Sequence, residues 1–147
     1  MVDIFIGYGI DLSKLRFTDE DKMKDFIRKY LPDYAKDMEN DLAENDRKGR
    51  HESIFDYIEN YDSMGYTGMP ALLADVINEQ ENTENFVPHD SVPGCVYLPA
   101  NFPWTFNSVE KLLTPESMNC LFQKYLSQIT DDPIVCEDLV LYEESMD

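Results

Sequence analysis

Two histidines, three cysteines and thirty carboxylates make up the reactive side chains of this chain. His51 sits between Arg50 and Glu52, and His89 between Pro88 and Asp90. Surface or capping roles suit both better than a nucleophile relay, which needs a base oriented by a third group. Cys95, Cys120 and Cys136 are odd in number and lack the close Cys/His spacing of a metal knuckle, so neither a complete disulfide framework nor a zinc site is encoded. They read as small hydrophobes in a reducing cytosol. Glu44–Gly49 puts a glycine at the sixth position of a calcium loop, yet Lys48 takes the fifth and Phe55 the twelfth, where a bidentate Glu is required. Asp131-Asp132 and Glu143-Glu144 have no supporting ligand spacing, so no metal or other cofactor is expected. A pair of carboxylates serving as acid and base would leave no local signature, which keeps a carboxylate-dependent hydrolase among the alternatives.

The carboxylates do show a pattern. Residues 1–50 carry 12 acidic and 10 basic side chains, whereas residues 51–147 carry 18 acidic and only 2 basic ones, Lys111 and Lys124. Nearly all of the net charge of −18 therefore belongs to the second stretch. So one-sided a charge repels itself and is better explained by an encounter with something positive than by folding. Hydrophobic content of 43% and aromatic content of 12% provide a core, so acidity is not a mark of disorder here.

Several elements must position these acids. Residues 2–10 read as a strand near the middle of a sheet, loosened into a turn by Gly7, Gly9 and Asp11. Thr18 with Asp21 makes a capping-box-like start for a helix whose apolar set is Met23, Phe26, Ile27, Tyr30 and Leu31, ended by Pro32. A second helix runs from Asp33 to about Asn45, with Tyr34, Met38 and Leu42 on one face and Asp33, Asp37, Asp41 and Glu44 on another. A third over about 51–61 turns Ile54, Phe55, Ile58 and Tyr61 inward and Glu52, Asp56 and Glu59 outward. Pro70 opens a fourth with Leu72, Leu73, Val76 and Ile77 inside and Asp75, Glu79 and Glu81 outside. Cys95–Leu98 reads as an edge strand or extended loop, and Asn107 or Ser108 caps a short helix through Leu113. Thr114-Pro115-Glu116 starts a last helix with Met118, Leu121, Phe122, Tyr125, Leu126 and Ile129 in its stripe, and Ile134–Tyr142 is a final strand. The expectation is one α+β domain over residues 1–147, with four to five helices on a sheet of about three strands: the N-terminal strand, 95–98 and the C-terminal strand.

On the second helix the acids recur about every 5 Å along the axis, at 1.5 Å per residue. One DNA strand presents a charge per ~3.4 Å, so two neighbouring acidic helices approach the charge density of a nucleic acid. Such a surface could occupy a groove built from Lys and Arg and inhibit by mimicry. Solvated surface is the ordinary role of an acidic helix face, where acids alternate with cations at i+4 spacing as around Asp25, Arg28 and Lys29, but the third and fourth helices have no such partner at all. Asp37, Asp41, Glu44, Glu52, Asp56, Glu59, Asp75 and Glu79 are the candidate contacts. Tyr97, Phe102 and Trp104, in an aromatic and proline-rich segment, are candidate apolar anchors, unless they plug the underside of the helices. Tyr57, Tyr61 and Tyr66 pose the same choice.

Gly7-Tyr8-Gly9 looks like the Gly-Tyr-Gly of phage lysozymes, but only Asp3 precedes it where those enzymes need a Glu, and the resemblance is rejected. In size, acidity and lack of a catalytic motif the chain is similar in character to phage-encoded DNA-mimic proteins, including anti-CRISPR and anti-restriction proteins. That resemblance implies a non-enzymatic inhibitor whose partner is a basic nucleic-acid-binding protein such as a defence nuclease, without direct contact to nucleic acid. The alternative is an acidic immunity protein or antitoxin that covers a basic toxin. The chain shows no secretion signal and no apolar run of about 18 residues, so a cytoplasmic, membrane-free protein is expected, with monomer or homodimer left open.

Overall fold

Strand β1 (Val2–Asp11) is the middle of the main sheet, and both of its neighbours come from much later in the chain. It runs antiparallel to β5 (Cys95–Pro99), with Asp11 opposite Cys95, and to β6 (Glu137–Glu144), with Val2 opposite Glu144. The two-residue strand β4 (Val87–Pro88) joins the far side of β5, giving the order β4-β5-β1-β6. The computed structural model describes residues 2–63, 65–84, 86–88, 94–99 and 115–144, with side chains at 8–63, 65–84, 86–88, 94–96 and 116–136. The architecture is α+β.

Three details of the sheet differ from expectation. Gly7 and Gly9 lie inside β1, paired on both sides, because two hydrogen-bonded ladders override the weak strand propensity of glycine. The turn comes after Asp11, whose carboxylate accepts from the Ser13 amide at 3.0 Å and the Ser13 hydroxyl at 2.6 Å. Cys95–Pro99 is an inner strand, since β4 covers its other edge. The last strand starts at Glu137 and not Ile134. Ile134 and Cys136 are instead buried in the approach to it, and the Cys136 amide donates to the Asn119 side chain.

Five helices are found among the described residues. Helix α1 (Glu20–Tyr30) is capped by Asp19, which accepts from the Lys22 amide at 3.1 Å. Asp19, and not Thr18, takes the cap, where a full negative charge meets the positive end of the helix. Leu31 ends α1 and begins α2 (Pro32–Arg47), with Pro32 in the first turn, where a missing amide costs nothing. Helix α3 is only Ile54–Ile58, shorter than its apolar spacing predicts. Ser53 caps it, and beyond Ile58 the Tyr61 amide closes a turn onto the Ile58 carbonyl. Tyr61 thus faces inward from a turn and not from a helix. A small hairpin follows, β2 (Asp62–Ser63) and β3 (Tyr66–Thr67), with Gly65 at φ 79° in its turn.

Helices α4 (Met69–Gln80) and α5 (Pro115–Leu126) supply the most buried stripes. Leu72, Leu73, Val76 and Ile77 of α4 and Met118, Phe122, Tyr125 and Leu126 of α5 lose essentially all contact with solvent. They join Met23, Phe26 and Ile27 of α1, Met38 of α2, Ile54 and Ile58 of α3, and Ile10 and Val96 of the sheet in one core. Edge-to-face ring pairs run through it, Phe26 on Tyr30, Tyr30 on Tyr125 and Phe86 on Phe122. The Asn78 side chain brackets the Phe86 backbone, donating to its carbonyl at 2.9 Å and accepting from its amide at 3.0 Å. That clamp fixes the exit from α4, where the sequence reads as a polar stretch. The expected short helix through Leu113 falls outside the described residues.

Candidate functional site: an acidic face set with tyrosines

Tyr34 projects from α2 toward two tyrosines of the following segment. Its ring centroid lies 5.9 Å from Tyr57 on α3 and 4.9 Å from Tyr61 in the turn after it. All three are half-buried. Each of the later two ends on a carboxylate from a different helix. The Tyr57 hydroxyl donates to Asp41 of α2 at 2.5 Å, and the Tyr61 hydroxyl donates to Asp75 of α4 at 2.6 Å. The other oxygen of Asp75 accepts from the Ser63 hydroxyl at 2.8 Å.

This arrangement joins α2, α3, the hairpin and α4 through neutral donors. Burial, followed by the field of Asp41, pushes the Tyr34 phenol up to about 12. Burial and then the hydrogen bond to Asp41 raise Tyr57, with further contributions from the Asp41, Tyr34 and Asp37 fields. Burial, the bond to Asp75 and then the Asp75, Tyr34 and Glu79 fields raise Tyr61. The phenols are therefore held as donors well above neutral pH. A hydroxyl satisfies a carboxylate's lone pairs without bringing a compensating charge, so the negative field is oriented but not cancelled.

Of the sequence candidates, Asp37, Asp41, Asp75 and Glu79 gather around this tyrosine cluster. Asp56 is exposed on α3 and Glu59 at its C-terminal cap, and Glu52 is half-buried just before it. Glu44 lies near the end of α2 and is paired with Lys48 at 3.2 Å. Two expectations need correction. Asp75 is a half-buried acceptor of two hydroxyls and not a solvated outer acid. Nor is the α4 region without a cation: Glu81, its C-terminal cap, pairs with Lys124 of α5 at 3.2 Å and accepts from the Tyr125 hydroxyl. Neither partner is visible as an i+4 spacing, because both lie more than 40 residues away.

Tyr97 belongs to β5, in register with Gly9 on one side and Val87 on the other, so the sheet positions it. Phe102, Trp104 and His89 lie outside the described residues. Among the described residues, Tyr34, Tyr57 and Tyr61 lie among the candidate acids. Tyr34 reads as an ordinary apolar-face residue in sequence, and no local spacing joins Tyr57 to Asp41 or Tyr61 to Asp75, 16 and 14 residues away.

A second polar region contrasts with this one. A cleft of about 260 Å³ is bordered by Arg16, Thr18, Asp19, Lys22 and residues 129–132. Arg16 donates to Asp132 from its amide at 2.8 Å and from its guanidinium at 3.4 Å, and Lys22 pairs with Asp131 at 3.2 Å. The Arg16 amide first, then its guanidinium, holds the Asp132 carboxyl below the usual range. Thr130, buried, donates to the Arg16 carbonyl at 2.7 Å. Here charges answer one another, and the cleft has the chemistry of a fastening between α1 and the α5–β6 connection.

His51 is exposed, its Nδ1 3.1 Å from an Asp46 oxygen, in keeping with a surface role. Cys95 and Cys136 are buried and Cys120 is exposed. Among the described residues no three His, Cys, Asp or Glu side chains converge as a metal site, and no helix is long and apolar enough to cross a membrane. No family model matches this chain, and no curated protein or solved structure does.

Proposed function

We propose that this protein is a non-enzymatic acidic inhibitor that occupies the cationic nucleic-acid groove of another protein. The observation that carries the reading is the acid-and-tyrosine face: carboxylates from α2 and α4 are steered by phenol hydroxyls and not neutralised by cations. Mimicry of a phosphate backbone needs negative groups at fixed positions, and it needs contact area to supplement salt-sensitive charge. The face supplies both. Asp37, Asp56, Glu59 and Glu79 provide exposed charge, and Tyr34, Tyr57 and Tyr61 provide rigid, half-exposed ring surface. The partner class is a basic nucleic-acid-binding protein, with a defence nuclease as the version that the similarity of character implies. A reducing, cytoplasmic setting belongs to the same proposal and suits the exposed Cys120.

The test replaces Asp37, Asp56, Glu59 and Glu79 together with Lys. These four are chosen because none accepts a tyrosine hydroxyl in the way Asp41 and Asp75 do. Affinity capture at low salt with the native chain should recover a basic protein that is lost at high salt and displaced by double-stranded DNA or RNA. The four-fold variant should bind it at least about 100-fold more weakly, as expected when several charge contacts are reversed. Its melting temperature should hold or rise, since self-repulsion falls. Unchanged binding by the variant sinks the proposal, and capture that ignores nucleic-acid competition points instead to an immunity protein.

A further inference from the structure

On the other flank of α3 from the tyrosines lies a groove of about 200 Å³ lined by Phe17, Met23, Phe55, Ile58, Glu59 and Met69. Its floor is core: Met23 and Ile58 are almost fully buried. Its walls are three large apolar side chains that remain half-exposed, Phe17 before α1, Phe55 on α3 and Met69 at the start of α4. Three separate elements thus leave apolar surface around one concavity of a size that holds a single Leu, Met or Phe side chain. The one charge in the lining is Glu59, exposed at the rim.

At 3.6 residues per turn, Phe55, Glu59, Asp56 and Tyr57 follow one another around the outer side of α3. The groove, the acids and the tyrosine cluster therefore form one continuous surface, with Asp56 and Glu59 as a negative ridge between two apolar patches. A partner that meets this ridge must bring positive charge, and a side chain that fills the groove must be apolar. We infer that the groove is the receptacle for one large apolar side chain carried on a Lys- or Arg-rich segment of the partner protein. This rests on the binding function proposed above and adds to it the source of specificity. Charge brings many cationic surfaces to the face, and the groove selects those that present an apolar residue among their cations.

The experiment uses the full chain and three synthetic peptides of about 16 residues, long enough to hold a helix. They are identical Ala/Lys/Arg sequences with Leu, Phe or Ala at the centre. The Leu or Phe peptide should bind about ten to a hundred times more tightly than the Ala peptide, the equivalent of burying most of one such side chain. The ε-methyl resonances of Met23 and Met69 should shift with the Leu and Phe peptides and stay in place with the Ala peptide. Phe55→Ser should erase the preference while leaving affinity for the Ala peptide within about twofold. Met69→Gln, at a half-exposed position, makes the same test if Phe55→Ser fails to fold.

Equal affinity for all three peptides, or binding of none, overturns the inference. Equal, salt-sensitive affinity leaves the acidic-face proposal standing alone. Conversely, a Leu preference that survives both high salt and the four-fold Lys variant upholds the groove and removes the acidic face from the explanation. Concentration-dependent self-association that Phe55→Ser abolishes would assign the groove to a second copy of this chain, and that also overturns it.

Discussion

The acids of this protein are held in two different ways in two regions. Around α1 and the first half of α2 they meet cations: Arg28 bridges Glu39 at 2.5 Å and Asp25 at 3.7 Å, and Arg16 and Lys22 reach Asp132 and Asp131. Around the tyrosine cluster between α2, α3 and α4 they meet hydroxyls: Asp41 takes Tyr57, and Asp75 takes Tyr61 and Ser63, while Glu81 at the end of α4 meets both Lys124 and the Tyr125 hydroxyl. In both regions the named carboxylates accept hydrogen bonds, so the presence of a donor alone does not distinguish them. What differs is the charge left over. An ion pair ends the field of its carboxylate within a few ångströms, whereas a phenol pins the carboxylate and leaves its field to project into solvent. The two regions do not follow the sequence halves: Asp131 and Asp132 of the acidic stretch meet cations, and Asp41 of the balanced stretch meets a tyrosine.

The contrast is tested most severely at Asp75. Asp75→Ala removes the acceptor of two hydroxyls in a half-buried place, so about 2–3 kcal/mol of stability should be lost, read as a lower urea midpoint at unchanged slope. A loss below about 0.5 kcal/mol would mean that the hydroxyl network is ornamental.

The next test concerns alkali. Tyr34, Tyr57, Tyr61 and Tyr125 all titrate above their ordinary value of 10 in the folded chain, through burial and neighbouring carboxylates. Below pH 10 these phenols are protonated in both states and their contribution is fully present. As pH rises from about 10 toward about 12, the unfolded chain gives up its phenolic protons first and stability falls. Tyr57→Phe should cost about 1 kcal/mol at neutral pH and make that alkaline decline shallower. A decline as steep as that of the native chain would show that Tyr57 does not share in the network.

The smallest effect belongs to the paired region. Arg28→Ala should cost under about 1 kcal/mol, because Arg28 and Asp25 are largely exposed and Glu39 about one-third exposed. The cost should vanish near 1 M salt, where screening acts over about 3 Å, whereas that of Tyr57→Phe should persist. If both losses respond to salt alike, the two regions are held by the same force and the comparison fails.

Much of this was legible in sequence where one physical cause dominates. The stripes of α1, α4 and α5 repeat apolar residues every three or four positions, and all of them are buried except Leu31, which caps α1 and stays half-exposed. The central place of β1 and its pairing with both later strands follow from β-favouring runs at 2–10, 95–98 and 134–142. Misreadings arose where tertiary pairing decides. Gly7 and Gly9 look like turn residues until two ladders hold them extended, and Tyr61 looks helical until the turn after Ile58 carries it inward. The acidic residues were recognisable as a set, but their division into paired, phenol-bound and exposed groups was not. Asp41 and Asp75 find their donors across helices, and nothing in the neighbouring letters marks an acid whose partner is a tyrosine on another element.

The sheet order has a consequence for how the molecule is made. Strand β1 leaves the ribosome with both edges unpaired, and the first residue it can bond across β5 is 84 positions later, Cys95 opposite Asp11. At 5–20 residues per second that is a wait of roughly 4–17 s, during which an extended apolar strand invites wrong pairings. Helices α1 to α4 are synthesised in that interval: residues 12–50 are balanced in charge, and residues 51–95 then add nine acidic side chains and no basic one. The negative charge acquired over that second half of the interval repels neighbouring nascent chains, so the acidic stretch also shields the first strand until its own pairing strand arrives.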